Sequence, residues 1–128
     1  MTYLLVALGG AIGATARYVV ANVVHTFVAR DFPWGTFLVN VSGCFVFGLV
    51  AGIGEARGTL TPVTRAFVLI GILGGYTTFS SFTFETMTLL RAGHVAQAIG
   101  NSVGQVVAGM LAFWVAWMLA QAVAGARS

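Results

Sequence analysis

Charged side chains are scarce in this 128-residue sequence: lysine is absent, and the only acids are Asp31, Glu55 and Glu85. Charged residues make up 7% of the chain and hydrophobic residues 59%, whereas ordinary soluble domains are about 25% charged. The composition therefore excludes a typical soluble globule. The six arginines give a net charge of +3 but form no cluster, so the basic patch that a nucleic-acid partner requires is also missing.

Groups that carry catalysis or bind metals are equally sparse. Cys44 is the only cysteine and lies in an apolar run, which excludes an internal disulfide and favours a small buried side chain. His25 and His94 have no second ligand nearby in the sequence, and no two carboxylates lie close together within an apolar segment. We therefore expect neither an enzyme nor a metal site built from side chains.

What the sequence does contain is four long apolar segments. They cover about 3–28, 34–54, 63–90 and 95–124, and polar breaks at 30–33, 55–62 and 91–94 separate them. A helix needs about 20 residues to cross a bilayer, so each segment is long enough. The sequence predicts an all-α membrane protein with a single domain, 1–128, that crosses the cell membrane four times.

The arginines are divided almost evenly between the two ends of these segments. One side would carry Arg57, Arg65 and Arg127, and the other Arg30 and Arg91, joined by Arg17 if its side chain reaches that way. Because the distribution of arginine and lysine sets the orientation of a membrane protein, we expect this chain to insert both ways. Four such helices also enclose little interior, so we expect a dual-topology, antiparallel homodimer within the lipid bilayer.

Polar side chains within the apolar segments are costly and therefore mark candidate functional residues. Thr36 and Asn40 are four residues apart and share a helix face, and the same holds for Asn101 and Gln105. Hydrogen bonds between helices would explain these residues as well as contact with a ligand would.

Two charged residues also fall towards the ends of apolar segments. Arg17 lies in the first segment and Glu85 in the third. We interpret both as members of an ion pair, or as side chains that reach the membrane surface, rather than as groups that carry out chemistry.

The third segment contains a run that is poor material for an unbroken helix facing lipid: Gly71-Ile-Leu-Gly-Gly-Tyr-Thr-Thr-Phe-Ser-Ser-Phe-Thr-Phe84. Such backbone is tolerated at membrane depth only where protein or an aqueous path surrounds it. We expect this helix to be broken at its middle, with unwinding at Gly74 and Gly75. In an antiparallel dimer both breaks would meet at the bilayer centre, where carbonyl groups suit Na+. A simple glycine kink between packed helices is the alternative.

Phenylalanines and hydroxyl groups follow this run. Phe79 and Phe82 are three residues apart and share a face, and the electropositive edge of an aromatic ring attracts an anion weakly. The nearby hydrogen-bond donors are Asn40, Thr78, Ser81 and Gln105. Together they have the character of a narrow anion path, although ordinary helix packing uses phenylalanine in the same way.

At these residues the sequence resembles the Fluc (CrcB) family of small fluoride channels. Three pieces, in family order and spacing, carry the resemblance: Gly9-Gly-Ala-Ile-Gly-Ala-Thr-Ala-Arg-Tyr18, Pro33-Trp-Gly-Thr-Phe-Leu-Val-Asn-Val-Ser-Gly43 and Gly71-Ile-Leu-Gly-Gly-Tyr-Thr-Thr-Phe-Ser-Ser-Phe82. The run Gly-Gly-x-Thr-Thr-Phe-Ser-x-Phe is a specific signature. The resemblance implies a passive channel that exports F⁻ across the bacterial plasma membrane, as an antiparallel dimer with two pores.

The resemblance also implies roles for individual residues. A structural Na+ would be held by the carbonyl oxygens of Gly74 and Thr77 from both chains. The residues implied along the fluoride path are Phe79, Phe82 and Asn40, with Thr36 and Ser81 as secondary contacts and Arg17 as the first-helix arginine. Gln105 and Gly109 stand where some relatives carry pore serines, so the fourth helix would use Gln105 and Asn101 instead.

A small dual-topology multidrug antiporter is the alternative function, because it too is a four-helix antiparallel dimer. That mechanism needs a glutamate within the first helix to exchange protons for cations, and segment 3–28 contains no acid. A membrane scaffold without transport is a second alternative, in which the polar face and the interrupted helix would have no role.

Overall fold

The computed structural model describes residues 1–29 and 31–125, and every regular element in those ranges is helical. α1 spans Thr2–Phe27, α2 spans Trp34–Ala56, and the third crossing consists of α3 (Pro62–Thr64), a π-helical segment (Arg65–Leu73), α4 (Gly74–Tyr76) and α5 (Phe79–Arg91). α6 spans Val95–Gly125. All four crossings are long and apolar enough to span a membrane, which confirms the predicted four-helix architecture. Arg30 and Arg127 of the charge count lie outside the described residues.

The third crossing changes its winding before it reaches its own middle. Pro62 lies in the first turn, where its missing N–H is not needed, and the hydroxyl of Thr61 accepts a hydrogen bond from the Thr64 amide at 3.1 Å. In the π-helical segment each turn holds an additional residue, so the amide of Gly74 reaches the carbonyl of Leu69. Segments of this kind are common near functional sites.

Two extended residues separate α4 from α5. Thr77 has φ −79° and ψ 155°, and Thr78 has φ −149° and ψ 119°. The unwinding expected at Gly74 and Gly75 is wrong in its position, because both glycines are helical. Gly75 lies against α1, and the helix ends only where the Leu73 carbonyl accepts both the amide and the hydroxyl of Thr77, each at 3.0 Å.

Glycines allow these helices to approach to backbone contact. A Cβ at Gly13 of α1 would collide with the carbonyl of Ile72 and lie 2.8 Å from the amide nitrogen of Tyr76. A Cβ at Gly52 of α2 would lie 2.8 Å from Cβ of Ala120. As a result, α1 packs on the third crossing just before Thr77, α2 packs on α6, and α5 rests on α6.

The outer surface of the bundle is strongly apolar. On α1, Leu8 and Ile12 are each 52% exposed, and on α6 Met110 is 70% exposed. A soluble monomer rarely presents continuous apolar surface on this scale. The surface suits a chain that is surrounded by lipid or by further protein.

Candidate functional site

Asn40 of α2 satisfies the backbone at the interruption of the third crossing. Its Oδ1 accepts a hydrogen bond from the Thr78 amide at 2.8 Å, and its Nδ2 donates to the Thr78 carbonyl at 3.0 Å. Thr78 is only 8% exposed, and an unpaired backbone group at membrane depth would be expensive. The side chain of Asn40 therefore allows the helix to be interrupted at this depth.

Thr78 is also the N-cap of α5. Its Oγ1 accepts a hydrogen bond from the Ser81 amide at 3.2 Å, and its hydroxyl donates to Oγ of Ser81 at 3.1 Å. Oγ of Ser80 lies 3.3 Å away. Three hydroxyl groups thus gather at the beginning of α5, where the helix dipole places partial positive charge.

Thr78 lines two cavities. The larger, of about 380 Å³, is lined by Asn40, Gly43, Cys44, Phe47, Thr77, Thr78, Phe79 and Phe113. The smaller, of about 290 Å³, is lined by Ala14, Arg17, Tyr18, Ala21, Thr36, Val39, Thr78 and Ser81. The buried Thr78 therefore lines both cavities, of which the larger contains three phenylalanines and the smaller is more polar.

The two predicted phenylalanines lie next to each other at the start of α5. The ring centroids of Phe79 and Phe82 are 5.4 Å apart, and the ring planes are inclined by 38°. Phe79 lines the larger cavity and is 78% exposed on the single chain, while Phe82 is half-buried. The two rings therefore lie in contact at the beginning of α5, directly after Thr78.

Thr36 and Glu85 are joined directly. Oγ1 of Thr36 donates a hydrogen bond to Oε1 of Glu85 at 2.7 Å. The second carboxylate oxygen is buried and has no hydrogen-bond partner among residues 1–29 and 31–125. Arg17 lies in the smaller cavity with Thr36, where its guanidinium adds a positive charge to a space lined by hydroxyl groups.

The amides of α6 lie behind Asn40 rather than in either cavity. Gln105 is 6% exposed and Asn101 is fully buried. Oε1 of Gln105 accepts a hydrogen bond from Nδ2 of Asn40 at 2.7 Å, and Nδ2 of Asn101 donates to Oγ1 of Thr86 at 2.9 Å. Thr86 was not among the residues singled out from the sequence. Its position four residues after Phe82 places it on the same helix face as that ring. Its contact with Asn101, however, depends on how α5 packs on α6, which the sequence does not show.

Two backbone carbonyls at the interruption lose their usual helical donors. In an unbroken helix the Thr78 amide would bond to the Gly74 carbonyl and the Ser81 amide to the Thr77 carbonyl. Here the Thr78 amide donates to Asn40, and the Ser81 amide donates to Oγ1 of Thr78. Gly74 is also exposed on the single chain, so a second molecule can pack against this residue.

The sequence matches a known family model over most of its length. Residues 4–117 match the model described as "CrcB-like protein, Camphor Resistance (CrcB)".

Curated relatives extend this match. The chain is 44% identical to the "Fluoride-specific ion channel FluC" of Opitutus terrae over 114 residues, which cover 88% of this chain and 86% of that protein. It is 48% identical to the protein of the same name from Methylobacterium radiotolerans, over 87% of this chain and 78% of that protein. A third, from Solibacter usitatus, is 43% identical over 94% of this chain and 99% of its own length.

Proposed function

Because the chain belongs to the CrcB-like family, we propose that it is a passive, fluoride-selective anion channel that exports F⁻ and so lowers the fluoride concentration in the cytoplasm. The curated relatives carry the name of a fluoride-specific ion channel rather than that of an enzyme. Its four apolar helices and its family make it a multi-pass membrane protein of the bacterial plasma membrane.

The observation that carries the proposal is the interruption at Thr78, a residue that lines two cavities. Hydroxyl groups and a helix N-terminus gather at this point, inside a crossing long and apolar enough to span a membrane. A scaffold protein would have no need of them, because polar groups at membrane depth destabilise a purely structural helix. They supply hydrogen-bond donors that can replace water around a small anion.

We place the anion path across Thr78. An anion would be attracted into the smaller cavity by Arg17 and would meet the hydroxyl groups of Thr36, Thr78 and Ser81. It would then pass the amide of Asn40 and the rings of Phe79 and Phe82. Ring edges attract an anion without a full positive charge, so the ion would not be trapped there. Gln105 supports the path from behind Asn40.

The direction of flow follows from the membrane potential. Each elementary charge that crosses the membrane exchanges about 2.3 kcal/mol per 100 mV, and a negative cell interior drives F⁻ outward. HF enters as a neutral acid and dissociates inside the cell. Passive flow therefore suffices for export, without a coupled ion or a nucleotide.

We further propose that Na+ has a structural role at the interruption. The fit rests on the carbonyls of Gly74 and Thr77, whose usual amide donors bond elsewhere, because carbonyl oxygens are the ligands that a small hard cation prefers. When bound, the ion would supply positive charge that holds these oxygens together. The residues of this chain would orient the two carbonyls: the Leu73 carbonyl fixes Thr77, and Asn40 fixes Thr78.

We propose that two copies assemble antiparallel, with either orientation in the membrane, and form two pores. The exposure of Phe79 and Gly74 on the single chain supports this assembly. Phe79 belongs to the proposed anion path and Gly74 to the proposed Na+ site, and a second copy would bury both residues. The even distribution of arginine supports dual topology. Reporter fusions at the C terminus should give both orientations, and one strict orientation would remove this part of the proposal.

A flux assay tests the channel directly. Purified protein is reconstituted in liposomes loaded with KF, valinomycin is added to carry K+, and F⁻ efflux is followed with a fluoride electrode. We expect rapid electrogenic efflux of F⁻, and little efflux when the liposomes contain KCl. Equal flux of Cl⁻, or no F⁻ flux above protein-free liposomes, would refute a fluoride-selective channel.

A further inference from the structure

A continuous series of hydrogen bonds runs from the interruption through α2 and α6 and returns to α5. The Thr78 amide donates to Asn40, and Asn40 donates to Gln105 at 2.7 Å. Nε2 of Gln105 donates to Oδ1 of Asn101 at 2.7 Å. Asn101 donates to Thr86, whose hydroxyl donates to the carbonyl of Phe82 at 2.8 Å. We call these four side chains, Asn40, Gln105, Asn101 and Thr86, the amide relay.

The relay has one direction. Each amide accepts through its oxygen from the preceding residue and donates through its nitrogen to the next. If one amide turned over, an oxygen would face an oxygen or an NH₂ group would face an NH₂ group. Buried polar groups in such a position lose their partners, and the loss is large in a low-dielectric interior. The orientation of each amide is therefore fixed by the others.

We propose that Gln105 and Asn101 are positioning residues of the anion path, which act by holding the amide of Asn40 in a single orientation. This inference rests on the proposed channel function. In that orientation both N–H groups of Asn40 are directed, one to Thr78 and one to Gln105, and its oxygen holds the Thr78 amide. The far end of the relay fixes the carbonyl of Phe82 on the same helix.

Burial separates this role from direct contact with the ion. Gln105 is 6% exposed and Asn101 is 0% exposed, and neither lines the two cavities that share Thr78. An anion in the larger cavity would meet Asn40 and Thr78, and one in the smaller cavity would meet Thr78. The amides of α6 can therefore affect conduction only through Asn40 at one end and Thr86 at the other.

A double-mutant cycle tests the relay. Gln105→Met keeps the length of the side chain and removes both of its hydrogen bonds. We expect F⁻ efflux to fall by roughly tenfold, because the Asn40 amide then keeps only its two hydrogen bonds to Thr78 and loses the third, to Gln105, so that its competent orientation is less populated. In an Asn40→Ala background the same change should have almost no further effect, since the residue on which Gln105 acts is gone. Equal losses in both backgrounds would overturn the proposal.

Matched controls separate positioning from general damage. Gln121→Met makes the same chemical change on the same helix, where the amide donates to the Gly52 carbonyl at 3.4 Å and is not part of the relay, and should leave efflux unchanged. Thr86→Val cuts the last step of the relay with little change of shape and should reduce efflux, even if Gln105→Met fails to fold. Thr83→Val is its control, because the Thr83 hydroxyl donates to the Phe79 carbonyl at 3.0 Å and is not part of the relay.

A spectroscopic readout does not depend on transport. In ¹⁵N spectra of the protein in detergent, we expect Gln105→Met to shift the side-chain NH₂ signals of Asn40 and Asn101, and Gln121→Met to leave them in place. Unmoved signals of Asn40 would overturn the relay whatever the flux assay gives. If wild-type protein conducts no F⁻, the proposed channel fails, and the same spectra still decide whether Gln105 orients Asn40.

Discussion

The contact between α1 and the third crossing offers a sharp test of the packing around the interruption. In Gly13→Ala the new Cβ would collide with the Ile72 carbonyl and lie 2.8 Å from the Tyr76 amide nitrogen. Backbone atoms cannot rotate away, so the two helices must separate. Overpacking costs about 1–3 kcal/mol, and contact with backbone favours the upper end of that range. Alanine recovers up to about 1 kcal/mol of helix propensity, which leaves a net loss of about 2 kcal/mol in the free energy of unfolding.

The measurement is titration of the detergent-solubilised protein with SDS, followed by tryptophan fluorescence. Gly10→Ala is the matched control on the same helix, because a Cβ there meets no atom within 4 Å in the described part of the chain, and we expect its stability to equal or exceed that of wild type. Gly13→Ala should also lower F⁻ efflux, since Tyr76 directly precedes the interruption. If Gly13→Ala unfolds at the same SDS concentration as wild type, the close approach of these helices is not what stabilises the fold.

Further predictions concern conduction. Phe82→Ile should reduce F⁻ efflux while the protein still elutes as the same oligomer. Phe84→Ile, which changes a 73% exposed ring, should leave efflux unchanged. Equal effects of the two changes would place the Phe82 ring outside the path. Asn40→Asp should also reduce efflux, because a carboxylate replaces the donor amide and repels an anion, and unchanged flux would remove Asn40 from the path. Arg17→Gln should slow efflux at low ionic strength. Its efflux rate should approach that of wild type near 1 M salt, because charges more than about 3 Å apart are screened there. A reduction in efflux that does not depend on salt would indicate a packing role for Arg17. Prolonged removal of Na+ by dialysis should abolish efflux, and sustained activity without Na+ would count against the central ion.

Local sequence signals were sufficient for the helices and for part of the site. Hydropathy alone predicted four crossings, and the spacing of Thr36 and Asn40 indicated a shared face, which in the structure is directed towards α5. The helix-disfavouring composition of the third segment also pointed to the region that contains Thr77 and Thr78. The roles of these residues in conduction remain predictions.

The position of the interruption and the arrangement of the buried amides depend on contacts between residues that are distant in the sequence. The helix continues through Gly74 and Gly75 because Gly75 packs on α1 and because Asn40, 38 residues before Thr78, supplies the partner that the extended backbone needs. The low helix propensity of glycine is a local property and contains no information about a contact with a distant residue. The hydrogen bond between Asn40 and Gln105 spans 65 residues, so a sequence pattern could mark both amides as unusual but could not show that one lies behind the other.

The π-helical segment Arg65–Leu73 has a geometric consequence for the direction in which the following residues face. An α-helix advances by about 100° per residue, and the wider turns of a π-helix advance by less. The length of this segment therefore determines how far the carbonyls of Gly74 and Thr77 are rotated about the helix axis relative to Pro62, where the crossing begins. Lengthening or shortening this segment would therefore rotate those carbonyls relative to Pro62, whereas a deletion in the loop at 57–61 would leave the angle between Pro62 and the carbonyls unchanged.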